Sequence, residues 1–142
     1  VLEFVGSLVE ARSAEGEEAA QHYQYAIDLY RGAYLQGHDD AWILARRDDF
    51  REGYLEALSA LARLREQQGA DEAALGLYLR AVSEARNRED LHREVIRLYG
   101  KLGRRSEAAD HYQKLEQEFK ERYGFKPSPE TQHVYQEAIG GG

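Results

Sequence analysis

Apolar residues recur along the chain at intervals of three and four rather than two, which is the period of an α-helix with one buried face. One such stretch contains Leu55, Leu58, Leu61, Ala62 and Leu64, and a second contains Leu91, Val95, Ile96, Leu98, Tyr99 and Leu102. The only two prolines lie near the end of the chain, and no apolar run approaches the length of a membrane span. The pattern predicts an all-α protein built from amphipathic helices.

Glycines follow several of these stretches at points where the preceding turn is basic or polar. Gly69, Gly103 and Gly124 occupy such positions, and glycine commonly ends a helix because it adopts the left-handed conformation without steric cost. Ser128-Pro129-Glu130 combines a capping oxygen, a proline for the first helical position and an acid for the first turn. These signals predict seven helices, over about residues 2–12, 15–31, 42–68, 71–86, 89–102, 105–123 and 129–139, with an irregular connection from Gly32 to Ala41.

A segment of the sequence that begins at Gly69 recurs at Gly103, 34 residues later, which is the tetratricopeptide period. In each copy a small residue, a tyrosine and a small or apolar residue share one helix face. These positions are Ala74, Tyr78 and Ala81, then Ala108, Tyr112 and Leu115, with a weaker copy at Ala19, Tyr23 and Ala26. We therefore predict antiparallel helical hairpins, tetratricopeptide-like and stacked in a right-handed superhelix, with these residues at the helix crossings. A helical bundle in which alanine and tyrosine repeat by chance is the alternative.

Length and composition indicate a single domain. The chain has 142 residues, and we predict a domain over residues 1–139 followed by a flexible tail at 140–142. The absence of cysteine from the sequence excludes disulfides and thiolate metal sites and fits a cytoplasmic protein. The formal net charge of −7 opposes binding to phosphate groups, so any contact with DNA would come from sequence outside this chain. Because the chain starts at Val1 and contains no methionine, we interpret it as a fragment of a longer protein.

The repeat register places polar side chains on the groove-facing surfaces of two predicted helices. The two sets are Ser59, Arg63 and Gln67, and Arg93, Arg97 and Lys101. Arginine binds carboxylates in a bidentate fashion, so this stripe would hold a carboxylate or an acidic peptide of a protein partner. The alternative is that Arg93 pairs with Glu89 and Arg97 with Glu94 as ordinary surface ion pairs.

Trp42, the only tryptophan, follows the acidic loop at residues 38–40. It would act either as an exposed contact anchor for another domain or as a buried plug that seats this loop. The five histidines show no paired ligand spacing on one helix, and we predict no metal site and no cofactor. The sequence contains no phosphate-binding loop, no serine elbow and no evident pair of catalytic carboxylates, so we expect no enzymatic activity.

Several segments of the sequence resemble a known family. They are residues 26–35 with the motif Leu29-Tyr30-Arg31-Gly32, Trp42 with Arg46-Arg47, the two repeats, and residues 123–131 with the motif Pro127-Ser128-Pro129-Glu130-Thr131. Together they are similar to the bacterial transcriptional activator domain that follows the DNA-binding domain in antibiotic-regulatory-type activators. The resemblance implies a cytoplasmic regulator in which a winged-helix DNA-binding domain precedes this module, and in which the module couples that domain to protein partners or to a second copy of itself. A general tetratricopeptide peptide-binding scaffold unrelated to transcription is the alternative function.

Overall fold

The computed structural model describes residues 2–35 and 47–140, and within these ranges it is all-α, with seven helices and no strand. The helices are α1 (Leu2–Ser13), α2 (Gly16–Leu35), α3 (Arg47–Gln67), α4 (Asp71–Glu84), α5 (Glu89–Lys101), α6 (Arg105–Tyr123) and α7 (Pro129–Gly140). The predicted fold class, all-α and tetratricopeptide-like, is confirmed. Among the described residues, no helix is both long enough and apolar enough to span a bilayer.

Two predicted boundaries differ from the structure. Helix α2 continues to Leu35, so the first part of the predicted irregular connection, from Gly32 onward, is helical. The predicted helix ends at residue 31, but residues 33–35 contain no helix breaker, and an isolated glycine only lowers helix propensity. The predicted start of the third helix, at residues 42–46, lies outside the described residues. Helix α7 includes Gly140, which the prediction assigned to the tail.

The described chain divides into two compact units, residues 1–70 with α1–α3 and residues 71–142 with α4–α7. In the first unit, α1 approaches α3 closely at Gly53, where an added Cβ would lie 2.9 Å from Leu8 Cδ1 and 3.0 Å from Phe4 Cε1. The largest fully buried side chains of this unit include Ile27, Leu58 and Leu61. Each contributes about 2 kcal/mol to the free energy of unfolding, because folding removes its apolar surface from water.

The residues predicted at helix crossings are all buried. Ala74, Tyr78 and Ala81 on α4, and Ala108, Tyr112 and Leu115 on α6, expose at most 7% of their surface. The weaker copy, Ala19, Tyr23 and Ala26 on α2, is also buried. Alanines at such positions let helix backbones approach one another, and the tyrosine rings fill the wider gaps between helices.

The ends of α3 and α5 share one capping motif, 34 residues apart in sequence. At the first, the Ala70 N–H donates to the Arg65 carbonyl at 2.8 Å and the Gly69 N–H donates to the Glu66 carbonyl at 2.9 Å. At the second, Arg104 and Gly103 donate in the same way to Tyr99 and Gly100, at 2.8 and 3.1 Å. The glycines have φ angles of +81° and +76°, as this motif requires. The helix ends predicted at both glycines are therefore confirmed.

Helix α7 packs on α5 and α6 in the second unit. Its close contact with α5 is at Gly100, where an added Cβ would lie 2.7 Å from Ala138 Cα. On the α6 side, the rings of Tyr112 and Tyr135 stack with centroids 4.1 Å apart. The N-terminus of α7 is capped as predicted, because the Thr131 N–H donates to Ser128 Oγ at 3.3 Å.

Candidate partner-binding site

Arg93, the first cation of the predicted stripe on α5, contacts helix α7. Its Nη1 donates to Thr131 Oγ1 at 3.1 Å, and its Nη2 lies 3.8 Å from Glu130 Oε2. The Arg93 side chain is only 21% exposed. Glu130 in the first turn of α7 is thus a second acid near this guanidinium, beside Glu89, the acid that the sequence suggested as its partner and on which the charge of Arg93 also acts.

Glu89 binds the cap of α7 instead. Its Oε1 accepts hydrogen bonds from the Ser128 N–H at 2.7 Å and from the Thr131 hydroxyl. Partial burial disfavours the charged carboxylate, but these hydrogen bonds and the nearby charge of Arg93 outweigh it and lower the pKa of Glu89. Pro127 and Thr131 are fully buried beside this carboxylate. The segment that most specifically resembles the family therefore fastens α7 to the start of α5.

The other two cations of the α5 stripe pair with acids of the same unit. Arg97 Nη2 lies 2.7 Å from Glu94 Oε2, which is the surface pair that the sequence offered as the alternative for this residue. Lys101 Nζ lies 3.3 Å from Asp71 Oδ1 at the start of α4. Both cations remain partly exposed, at 39% and 47%, so each pair is accessible to solvent and weak.

The set predicted on α3 has a different environment. Arg63 and Gln67 line a cavity of about 480 Å³ between α3 and the turn that joins α1 to α2. Its walls include Arg12, Glu15 and Tyr23. Ser59 is partly buried one turn earlier on α3 and is not among the lining residues. Two of the three predicted residues thus share one concave surface within the first unit.

The charges around this cavity leave Arg63 without a counterion among the described residues. Arg12 is held by Glu56 through two hydrogen bonds, at 2.7 and 2.6 Å, and these raise its pKa further. Burial, followed by the charge of Glu56, raises the pKa of Tyr23, so its hydroxyl stays protonated near neutral pH. The Arg63 side chain is exposed and forms no hydrogen bond or ion pair with any residue that the structure describes. An arginine of this kind binds a carboxylate without first breaking an internal ion pair.

Trp42, predicted as a contact anchor or as a buried plug, lies outside the described residues, as does the acidic loop that precedes it. Neither interpretation is tested, and both stay predictions.

The sequence analysis missed a histidine pair in the second unit, in which His92 is buried and His111 is partly buried. His92 Nδ1 lies 2.9 Å from His111 Nε2, and His92 Nε2 lies 2.8 Å from the Arg86 carbonyl. Because a carbonyl only accepts, His92 carries its proton on Nε2, and His111 donates to His92 Nδ1. The two residues belong to α5 and α6, so a search for paired spacing on one helix could not find them.

The histidine pair borders a cavity of about 580 Å³ that α4 and α6 also line. Burial lowers the pKa of both rings, and the neighbouring His92 and Lys114 help to bring the pKa of His111 to about 4. Near neutral pH both rings are therefore uncharged. Within the described ranges, no group of three or more histidine, aspartate or glutamate side chains could hold a metal ion.

The fold of the described residues places the chain in the class of tetratricopeptide-like helical proteins. The sequence profile of the family described as "Bacterial transcriptional activator domain" matches residues 5–138, and the chain belongs to this family. A solved structure, Mycobacterium tuberculosis EmbR in complex with a low-affinity phosphopeptide, is similar in fold, with a TM-score of 0.70 at 21% sequence identity. The match covers 96% of this chain but only 36% of that one. No curated protein matches the sequence.

Proposed function

We propose that this chain is the regulatory, protein-binding module of a cytoplasmic bacterial transcription activator and has no enzymatic activity of its own. In this proposal a DNA-binding domain outside the chain contacts the promoter, and the module couples it to a protein partner. Membership of the family and the all-α fold support this role. The net charge of −7 supports assigning DNA contact to another part of the protein.

The observation that carries the proposal is the unpaired Arg63 at the α3 cavity. An acidic side chain of the partner would form a bidentate pair with its guanidinium, and Gln67 and Tyr23, which line the same cavity, would supply hydrogen-bond donors. Ala11, Ala60 and Leu64 supply an apolar surface beside them. A concave surface on which polar groups lie beside a few apolar side chains can hold a polar segment of a partner.

The cations on α5 take different parts in this proposal. Arg97 and Lys101 would lie at the rim of a partner interface. There, exchanging one solvent-exposed ion pair for another changes the free energy of binding little. Arg93 would act indirectly as a positioning residue, because its donor group is committed to Thr131 on α7. Reversing the charge of Arg93 would therefore unseat α7 and would not report on partner contact.

A charge reversal at Arg63 tests the proposal directly. In the full-length activator, Arg63→Glu is expected to lower the activity of a transcription reporter while leaving protein level and promoter occupancy unchanged, because the altered residue contacts the partner. Arg105→Glu is the matched control, since Arg105 is also exposed and has no partner among the described residues.

The possible outcomes separate the candidate functions. Equal reporter activity for the Arg63 variant and the wild type would reject the α3 site. Absence of the full-length protein from any promoter would reject the activator role and favour a general peptide-binding scaffold. Loss of a dimer in the Arg63 variant, seen by sedimentation, would identify the partner as a second copy of the chain.

A further inference from the structure

An exposed pair of aromatic rings lies at the end of α6. Tyr123 is 45% exposed and Phe125 is 59% exposed. Their rings stack with centroids 5.5 Å apart and an interplanar angle of 15°. Both rings meet the edge or face of Phe119, which is buried in the core of the second unit. Exposed aromatics that pack on one another and on the core form a surface and not a frayed end.

The segment that carries these rings is held on both sides. Gly124 is left-handed, with φ of +75°, and its N–H donates to the carbonyls of Phe119 and Lys120. Two residues after Phe125, Pro127 is fully buried and its carbonyl accepts a hydrogen bond from the Gln132 amide at 2.8 Å. The aromatic pair is therefore pre-organised, and a partner that covers it would lose little conformational entropy in ordering it.

Three cations surround the aromatic pair in sequence. Lys120 and Arg122 lie in the last turn of α6, and Lys126 follows Phe125. All three are exposed, and none forms a hydrogen bond or ion pair with a residue that the structure describes. The one acid among them, Glu121, accepts a hydrogen bond from Gln117 at 2.7 Å. The segment 120–126 is therefore locally positive in a chain whose net charge is −7.

We propose that Lys120, Arg122, Tyr123, Phe125 and Lys126 form a docking surface, here called the aromatic–basic surface, for an acidic peptide segment of a partner protein. Apolar side chains of that segment would cover the exposed rings, and its carboxylates would pair with the cations. Aromatic residues and arginine are the side chains that most often dominate protein interfaces. Charge complementarity selects an acidic partner and speeds its association.

Nucleic acid fits this surface less well than an acidic peptide. Tyr123 and Phe125 stack on each other, so each ring already uses one of the faces on which a base would stack. The overall charge of −7 also opposes the phosphate backbone. The aromatic–basic surface belongs to the second unit and Arg63 belongs to the first, so the two proposals stand or fall separately.

Fluorescence anisotropy with a labelled synthetic peptide tests the docking surface. The probe is rich in glutamate and carries leucines spaced one helical turn apart; its controls replace either glutamate by glutamine or leucine by glycine. The wild-type chain is expected to bind the probe with an affinity that falls as salt is added. Phe125→Ser and the triple variant Lys120→Gln, Arg122→Gln, Lys126→Gln are each expected to weaken binding about tenfold, since each removes a major anchor.

Matched variants identify effects that do not come from the aromatic–basic surface. Tyr25→Ser removes an aromatic ring of comparable exposure, 49%, from the first unit, and Lys114→Gln removes a cation that pairs with Asp110. Both are expected to bind the probe like the wild type. No binding by the wild-type chain, or equal binding by the Phe125 variant, would overturn the proposal. So would tighter binding of a single-stranded oligonucleotide, or self-association that the Phe125 variant abolishes.

Discussion

Arg63 and Arg97 occupy equivalent repeat positions, 34 residues apart on α3 and α5, but have different neighbours. Arg97 is paired with Glu94, three residues before it. The residue at the corresponding position before Arg63 is Ala60, so the acid that pairs with Arg97 has no counterpart at this position. Equivalent cations in a repeat protein can therefore differ in their ion pairs where a neighbouring residue differs.

The helix faces that carry these arginines also differ in how closely another helix can approach them. Gly100 on α5 leaves room for Ala138 of α7, whereas the equivalent residue on α3 is Glu66, whose side chain would not fit at Gly100. The α5 face is consequently adapted to packing by a helix of its own unit, and the α3 face retains a cavity with an unpaired cation. The same repeat pattern thus produces one structural face and one candidate binding face.

The largest expected effect comes from filling the close contact between α5 and α7. Gly100→Leu is expected to lower the free energy of unfolding by about 3 kcal/mol, because its Cβ alone would lie 2.7 Å from a backbone atom of Ala138. Urea unfolding monitored by circular dichroism measures the change. Gly76→Ala is the control; no atom lies within 4 Å of its added Cβ, so a small gain in stability is expected. Equal stability of the two variants would contradict the tight packing of α7.

The buried histidines should make the second unit more sensitive to acid than the first. Because burial and neighbouring cations lower the pKa of His111 from 6.5 to about 4, the unfolded state binds more protons within that window. The contribution of the neutral His111 to the free energy of unfolding is therefore fully present above about pH 6.5. The free energy of unfolding is expected to fall by about 2 kcal/mol as the pH decreases towards 4. The negative charge of Asp110 raises the pKa of His111 and so acts against this decrease. Glu89, Asp90 and Glu118 act in the same way on the pKa of His92.

Urea midpoints measured across this pH range at constant ionic strength check the effect of the pair. His111→Gln removes one titrating ring and keeps a donor near His92, so its midpoint should depend less steeply on pH than that of the wild type. Hydrogen exchange of α5 and α6 amides should also accelerate before that of α1 and α2. An identical pH profile for variant and wild type would show that the carboxylates, and not the histidines, set the acid sensitivity.

Removing the guanidinium groups one at a time should separate the structural arginine from the others. Arg93→Ala is expected to lower the free energy of unfolding by about 1–2 kcal/mol, because the buried Thr131 loses a charged donor and the partly buried Glu89 loses a nearby positive charge. Arg97→Ala and Arg63→Ala should each change stability by less than about 0.5 kcal/mol, since both side chains are solvent-exposed or partly so. Differential scanning calorimetry ranks the three. An Arg93 variant as stable as the other two would remove its assigned role in holding α7.

A further comparison supplies the acid that Arg63 lacks. Ala60→Glu places a carboxylate three residues before Arg63, as Glu94 stands before Arg97. Because Ala60 is buried, the variant is expected to lower the free energy of unfolding by about 1–3 kcal/mol. The added carboxylate would pair with Arg63 in place of the partner. If the partner binds the charge of Arg63, reporter activity should therefore fall as far as it does in Arg63→Glu. Ala60→Gln adds similar volume without charge and should retain more activity. Equal loss in both variants would assign the effect to filling the cavity.

Much of the fold could be predicted from the sequence because its signals are local. The helix ends at Gly69 and Gly103 and the cap at Ser128 depend on residues within one turn, and all were predicted correctly. The site was harder to predict. The positions of Arg63 and Arg93 on helix faces followed from the repeat, but the sequence offered no sign that Thr131 and Glu130 of α7 would reach Arg93.

Periodicity, small-residue spacing and glycine turns were sufficient to specify seven helices, their order and the 34-residue repeat, because each depends on interactions within a helix or across one turn. That Arg93 contacts α7, which histidines meet and which aromatics stay exposed were decided only by the tertiary structure. The pairs between Arg93 and Thr131 and between His92 and His111 join residues 38 and 19 positions apart. Such contacts arise from the packing of whole helices, which no local pattern along the chain encodes.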